Sequence, residues 1–166
     1  PALWCAVLGG LLLAKPHWAR EQFLSRVTSL YSFALLALVV AVAWSARGKV
    51  TVPLGAWFRV GEYDFELSLL VDRLSITYGL LASFLYAAVM RFSFSYLHRE
   101  PHFPRFFFLT ALLSLGLMGV AFAGDIDLLV AGWEIVGLSS VLLIAFFREN
   151  SRSARNSYRA FATYRF

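Results

Sequence analysis

The feature that most limits this fold is a succession of apolar stretches, residues 27–46, 74–97, 106–123 and 128–147, each bounded by charged or helix-breaking residues. A hydrocarbon layer ~30 Å thick takes about 20 apolar residues per helical crossing. Inside it, only a helix or a closed barrel satisfies every backbone N–H and C=O. Residues 1–14 form a further, shortened stretch, and an apolar pattern starts again at Ala160. Hydrophobic residues make up 60% of the chain and the charged 15% cluster between the apolar runs, which argues against a soluble globular domain. The fold class that follows is an all-α polytopic membrane protein of about five transmembrane helices plus the start of a sixth. The predicted helices are 1–14, 27–46, 74–97, 106–123, 128–147 and 156–166 onward.

Between the second and third crossings the periodicity changes. Pro53 and Gly55 rule out a continued helix. Tyr63, Phe65, Leu67 and Leu69 then alternate with Asp64, Glu66 and Ser68, a period of two, and Gly61 with Glu62 supplies a turn. This predicts a short extramembrane β-hairpin within about residues 50–72. Pro101 and Pro104 break the chain again in the loop from His98 to Arg105, and Gly124, Asp125, Ile126 and Asp127 read as a tight polar connection. Pro1 stands where a Met would start a chain, and the sequence stops at Phe166 as a new helix is entered, so it reads as a piece of a longer protein. A signal peptide fits residues 1–14 poorly, because no basic segment precedes them and Lys15, Pro16, His17 and Trp18 make a poor cleavage site.

The net charge of +5 comes from basic residues that flank apolar runs, with no basic stripe of the kind nucleic acid needs. Connections retained in the cytoplasm carry the excess of Lys and Arg. With helices alternating, Lys15, Arg20, Arg26, Arg99, Arg105, Arg148, Arg152, Arg155 and Arg159 fall on one side. Arg47, Lys49, Arg59 and Arg73 fall on the other, offset by Glu62, Asp64, Glu66 and Asp72. The N-terminus and the hairpin are therefore expected outside a bacterial-type inner membrane. Arg91, in the last turns of the third crossing, is expected to snorkel to the cytoplasmic surface.

One carboxylate stands in the wrong solvent. Glu134 lies within the run 128–147, where an ionised carboxyl costs on the order of 2–4 kcal/mol near the helix centre. At 3.6 residues per turn its face carries Asp127, Ala131, Gly137, Val141 and Ala145, mostly small residues, and such a face is expected to look into protein. A carboxyl there takes up a proton when unpaired and ionises beside a cation or water, the behaviour a proton relay needs. Asp127, roughly 10 Å nearer the outer surface at 1.5 Å per residue, would help water reach it. The competing reading is a carboxylate that only pairs with a base to lock helix packing.

Other chemistries lack their residues. Cys5 is the only cysteine, so the chain can build neither an internal disulfide nor a cysteine-based metal site. His17, His98 and His102 fall in loops, so no two histidines can clamp a haem, and no phosphate-cradling or H-E-x-x-H motif occurs. Ser139 and Ser140 have no histidine base beside them, and hydrogen bonding between helices is their expected role. No catalytic site, cofactor or metal is expected.

The stretch Gly132-Trp133-Glu134-Ile135-Val136-Gly137-Leu138-Ser139-Ser140, continuing through Leu142-Leu143-Ile144-Ala145-Phe146-Phe147, resembles the fifth-helix motif of the antiporter-like membrane subunits. That family includes subunit L of respiratory complex I, the Mrp-type cation/proton antiporters and the DabB-type subunits of inorganic-carbon uptake. Val71-Asp72-Arg73-Leu74-Ser75 and Arg105-Phe106-Phe107 match the family pattern in order. The resemblance implies the N-terminal part of one antiporter-like domain that moves protons or other cations. Glu134 would be its key ionisable group, paired in the family with a lysine on a later helix. Trp133, Gly132, Gly137, Ser139 and Ser140 would serve the motif and its packing.

Ile135 and Val141 depart from the complex I pattern, while Arg155-Asn156, Arg159-Ala160-Phe161 and Tyr164-Arg165 look closer to the DabB type. That favours a subunit of a bicarbonate-uptake complex, working with membrane lipid, other membrane subunits and a zinc-containing soluble partner. The alternatives are a proton-pumping subunit of a complex I-like NADH-quinone oxidoreductase, a Mrp-type antiporter subunit, a membrane scaffold that transports nothing, and a membrane enzyme.

Overall fold

The computed structural model describes residues 1–14, 21–46, 48–61, 63–97, 102–147 and 151–165. Among these residues six helices and one hairpin follow in the order α1 (Ala2–Ala14), α2 (Glu21–Ser45), β1 (Val50–Val60), β2 (Tyr63–Val71), α3 (Arg73–Tyr96), α4 (Phe103–Ala121), α5 (Ile126–Ile144) and α6 (Ser151–Arg165). Lys15, Pro16, His17, Trp18, Arg20, Arg47, Glu62, His98, Arg99, Pro101 and Arg148, which figure in the sequence reading, lie outside the described residues. Among the described residues four helices are long and apolar enough to cross a membrane: Arg26–Ser45, Arg73–Tyr96, Phe103–Ala121 and Ile126–Ile144. At 13 residues α1 reaches only about 20 Å along its axis. It lays Cys5 and Leu8 into the core against α4.

The helices are sorted by side-chain size in the way a lipid-solvated bundle requires. On α3 the buried positions are Ser75, Gly79, Ala82, Ser83, Tyr86, Ala87, Met90 and Ser93, three or four residues apart and mostly small. Leu74, Leu81, Phe84, Leu85, Val89 and Phe92 lie exposed on the other faces. Lipid tails are as apolar as leucine, so large side chains gain nothing by turning inward, and small ones let backbones approach. Several hydroxyls inside the bundle return to their own helix. Thr28 donates to the Leu24 carbonyl at 2.8 Å, and Ser114 donates to Ala111 at 2.8 Å.

Helix starts are set by capping chemistry. Asp72 and Ser75 form a reciprocal capping box at α3: the Asp72 carboxylate accepts from the Ser75 N–H at 2.7 Å, and the Ser75 hydroxyl accepts from the Asp72 N–H at 2.7 Å. Helix α4 begins at Phe103, earlier than the prolines suggested. Pro104 sits in its first turn, where the missing N–H would have had no intrahelical partner, and buried Phe103 packs on Phe107 with ring centroids 4.5 Å apart. Helix α6 starts at Ser151, ahead of the apolar pattern, because its opening turns are polar and carry Arg152 and Arg155.

The hairpin pairs antiparallel from Val50↔Val71 to Val60↔Tyr63, with register irregularities at Pro53/Gly55 and Ala56/Phe58. Gly55 and Gly61 hold φ of 103° and 60°, the bulge and the turn where a side chain would strain the backbone. Strand β2 does not end in solvent. The Leu70 N–H donates to Phe122 at 2.9 Å, and the Gly124 N–H donates to Ser68 at 2.9 Å, so the α4–α5 connection lies alongside β2. Asp125 completes this join. Its carboxylate caps α5 through the Leu128 N–H at 2.7 Å and accepts from both the N–H and the hydroxyl of Ser68. A Cβ on Gly124 would meet the Ser68 hydroxyl at 2.5 Å, so glycine is required there.

This arrangement puts Pro1, the hairpin and the start of α5 at one end of the bundle, around a cleft of about 710 Å³ lined by Leu3, Val42, Leu54, Val71 and Phe122 among others. Arg26, Arg91, Arg105, Arg152 and Arg155 belong to the helix ends that lie opposite.

Helices α4 and α5 make the most extensive contact in the fold, and glycine permits it. A Cβ on Gly116 would come within 2.8 Å of the Val136 backbone nitrogen, and one on Gly132 within 2.8 Å of the Val120 nitrogen. Gly132→Val is therefore expected to destabilise the full-length protein by at least the ~1–3 kcal/mol of an overpacked core, seen as a lowered thermal midpoint in detergent. Asp125→Ala should cost about 0.5–2 kcal/mol through loss of the cap alone. Burial pushes the Asp125 carboxyl up, but the hydrogen bonds from Leu128 and Ser68 prevail and leave it below its ordinary value of 3.8. Its contribution is thus complete above that value and lost as pH falls through the lower folded value. The wild-type and Asp125→Ala midpoints should differ at neutral pH and converge once the pH falls below the lowered folded value.

Candidate functional site

Helix α5 carries both candidate acids. Asp125 caps it, Asp127 stands half-buried in its first turn, and Glu134 follows two turns on, near the middle of the span Ile126–Ile144. At 1.5 Å per residue Asp127 and Glu134 are roughly 10 Å apart along the axis. Glu134 is half-buried, and Trp133 beside it is exposed.

The face of Glu134 differs from the one the small residues suggested. Gly132 and Val136 lie on the face that meets α4 at Gly116 and Gly119. With 100° per residue, Glu134 projects roughly 160° from Gly132 and Val136, away from α4. Of the residues expected to share its face, Gly137 is buried, Ala131 is exposed, and Asp127, Val141 and Ala145 are half-buried. The closest helix approach therefore lies behind Glu134, because two glycines five residues apart serve two different neighbours.

The second neighbour is α6. The Ser157 hydroxyl donates to the Val141 carbonyl at 3.0 Å, and the Tyr164 hydroxyl donates to the Trp133 carbonyl at 2.7 Å. Seven residues along α6 thus track back eight along α5, so the two helices run antiparallel. The Tyr164 ring lies in the notch left by Gly137, where any Cβ would collide with it, and it stacks on Trp133 with centroids 6.2 Å apart. Tyr164 is in this way fixed at three points around the peptide that joins Trp133 to Glu134.

Among the described residues Ser139 and Ser140 do not bridge helices. Ser139 donates to the carbonyls of Ile135 and Val136 at 2.6 and 3.1 Å, and Ser140 donates to Gly137 at 2.9 Å, all within α5. A helical serine reaches the preceding turn with no loss of side-chain freedom beyond one rotamer, and that local bond wins. The cross-helix bonds come from Ser157 and Tyr164, which the sequence reading did not place at the site. The signal available for them was the recurrence of Ser157 and Tyr164 at the seven-residue spacing of one helix face. Asp125, which reads in the sequence as one residue of a polar connection, also makes tertiary bonds. Its partner, Ser68, lies 57 positions away, and no local pattern announces it.

Among the described residues no group of three His, Cys, Asp or Glu side chains gathers as a metal site. Among the described residues the geometry offers one carboxylic acid near the middle of an apolar span, a second acid nearer the hairpin end, and a tyrosine hydroxyl bound to the carbonyl beside the first.

Residues 57–107, from the hairpin through α3 into the first turns of α4, match the family described as NADH-ubiquinone oxidoreductase (complex I), chain 5 N-terminus. The chain is 29% identical to NADH-quinone oxidoreductase subunit L of Escherichia coli (strain K12) over 164 residues, 96% of this chain and 27% of that protein. It is 26% identical to NAD(P)H-quinone oxidoreductase subunit 5, chloroplastic, of Zygnema circumcarinatum over 99% of this chain and 24% of that one. Against NADH-ubiquinone oxidoreductase chain 5 of Hippopotamus amphibius the identity is 31%, over 68% of this chain and 19% of that one. The chain thus spans about a quarter or less of the length of these curated relatives. The matches to subunit L and chain 5 run through the capped α3, and those to subunit L and subunit 5 extend over nearly the whole chain, the Trp133-Glu134 helix included. The chain belongs to the antiporter-like family of membrane subunits that includes subunit L and chain 5 of complex I.

Proposed function

We propose that this chain is part of a proton-translocating membrane subunit of a complex I-like NADH-quinone oxidoreductase assembly, with Glu134 as its intramembrane relay group. The observation that carries the reading is the position of Glu134: half-buried at the middle of an apolar span, on the side of α5 turned away from α4. A carboxyl in that setting is neutral when its surroundings are dry and apolar, and ionises when a cation or water approaches. A neighbour that moves between two arrangements can then load and unload a proton. Asp127 stands nearer the membrane edge and serves as an accessory acid on the route from the hairpin end. Tyr164 positions the Trp133 carbonyl and, through it, the backbone of Glu134.

The inorganic-carbon branch, with its zinc-containing soluble partner, rests on the local likeness around Arg155 to Arg165. The relatives named above are NADH-quinone, NAD(P)H-quinone and NADH-ubiquinone oxidoreductase subunits, and they favour the complex I-like alternative. Its partners are then other membrane subunits of such an assembly, in a bacterial-type inner membrane. The orientation that suits the positive ends of α2, α3 and α4 puts the N-terminus and the hairpin outside.

Glu134→Gln in the full-length protein within its assembly should abolish coupled proton movement, read with a pH-sensitive dye in sealed vesicles, while leaving assembly intact. Proton movement at the wild-type rate in that variant would instead favour a scaffold that transports nothing. Tyr164→Phe keeps the ring in the Gly137 notch and removes one hydrogen bond, worth about 1 kcal/mol or roughly fivefold. Coupled proton movement in the same vesicles should fall by about that factor, with assembly again unchanged.

A further inference from the structure

At the end of the bundle opposite the hairpin, a cleft of about 330 Å³ opens between α2 and α3, lined by Arg26, Ser29, Leu30, Phe33, Arg91 and Phe94. We propose that this cleft binds the headgroup phosphate of an anionic phospholipid, held between Arg26 and Arg91.

Both arginines are exposed, and among the described residues neither makes an ion pair. Two guanidinium groups lining one small cleft repel each other until an anion joins them. Arg26 opens the apolar span of α2, while Arg91 lies five residues before the end of α3, about 8 Å along the axis. An arginine at that depth extends towards the headgroup layer, where phosphates are the abundant anions. Its planar fork matches a phosphate bidentately, and two forks from different helices fix the orientation of the group.

The rest of the lining identifies the kind of anion. Leu30 and Phe33 are exposed beside the two charges, and Phe94 closes the other flank. Inorganic phosphate has no use for such a surface, whereas the glycerol and first acyl carbons of a phospholipid cover it. Charge and apolar area together fit a lipid that carries a net negative headgroup, such as phosphatidylglycerol. The cleft is separate from the Glu134 site on α5, so the proposal stands independently of the transport reading.

The test uses the full-length protein purified into nanodiscs of phosphatidylcholine with a minor fraction of phosphatidylglycerol, with bound lipid counted by native mass spectrometry after release. Wild type should retain phosphatidylglycerol in preference to phosphatidylcholine, and the double variant Arg26→Gln/Arg91→Gln should lose that preference by about tenfold or more. Arg91→Lys, which keeps the charge and removes the fork, should fall between them; it also provides the comparison if the double variant does not fold. A parallel sample in phosphatidylcholine alone with added inorganic phosphate should show no retained phosphate. Equal phosphatidylglycerol retention by wild type and variants would overturn the proposal. So would retention of inorganic phosphate that phosphatidylglycerol does not displace.

Discussion

The approach of α4 to α5 at Gly116 and Gly132 is the contact on which the remaining arrangement depends. Between helices in lipid no hydrophobic force acts, so association must come from close packing, and close packing here means backbone against backbone. Once Gly132 and Val136 are committed to α4, the other faces of α5 are assigned as well. Glu134 is turned from α4, and Gly137 is left as the notch that receives Tyr164. The same contact carries the α4–α5 connection to β2, since Phe122 and Gly124 follow directly from the packed helix. Packing, turn and acidic site are consequences of one pair of glycines.

Much of the architecture was legible because hydrocarbon permits so little choice. The runs at 27–46, 74–97, 106–123 and 128–147 had to be helical to satisfy their backbone, and the alternation around Tyr63 to Leu69 could only be a strand. What escaped was decided by partners distant in the chain. Asp125 looks like any polar turn residue until Ser68 is brought beside it. Gly132 and Gly137 look alike in sequence, yet one meets a backbone and the other an aromatic ring. Helix ends shifted for local reasons of the same kind: Pro104 was compatible with a first turn, and α6 opened on polar residues that hydropathy passes over.

The candidate site was legible as a residue but not as a geometry. Glu134 is conspicuous by its solvent, and no structure was needed to single it out. The direction in which it faces depends on which of two glycine faces α4 selects, and a helical wheel cannot make that choice. Tyr164 was read only as part of a likeness to related sequences. Its position shows a physical role, because a hydroxyl donated to a helical carbonyl in an apolar layer is a bond that water cannot replace.

Strand β1 carries a further consequence. β2 is hydrogen-bonded on its outer side to the α4–α5 connection, and among the described residues β1 pairs with β2 alone, so its outer edge is the hairpin's open flank there. Open flanks invite strand addition from another copy, a particular hazard for a membrane protein while its helices are still assembling. Pro53 offers no N–H to such a visitor, and the two register irregularities bend the strand out of the flat shape that a continuing ladder requires. The kinks that make β1 a poor strand also stop the sheet from growing, and so guard the protein against aggregation through this edge.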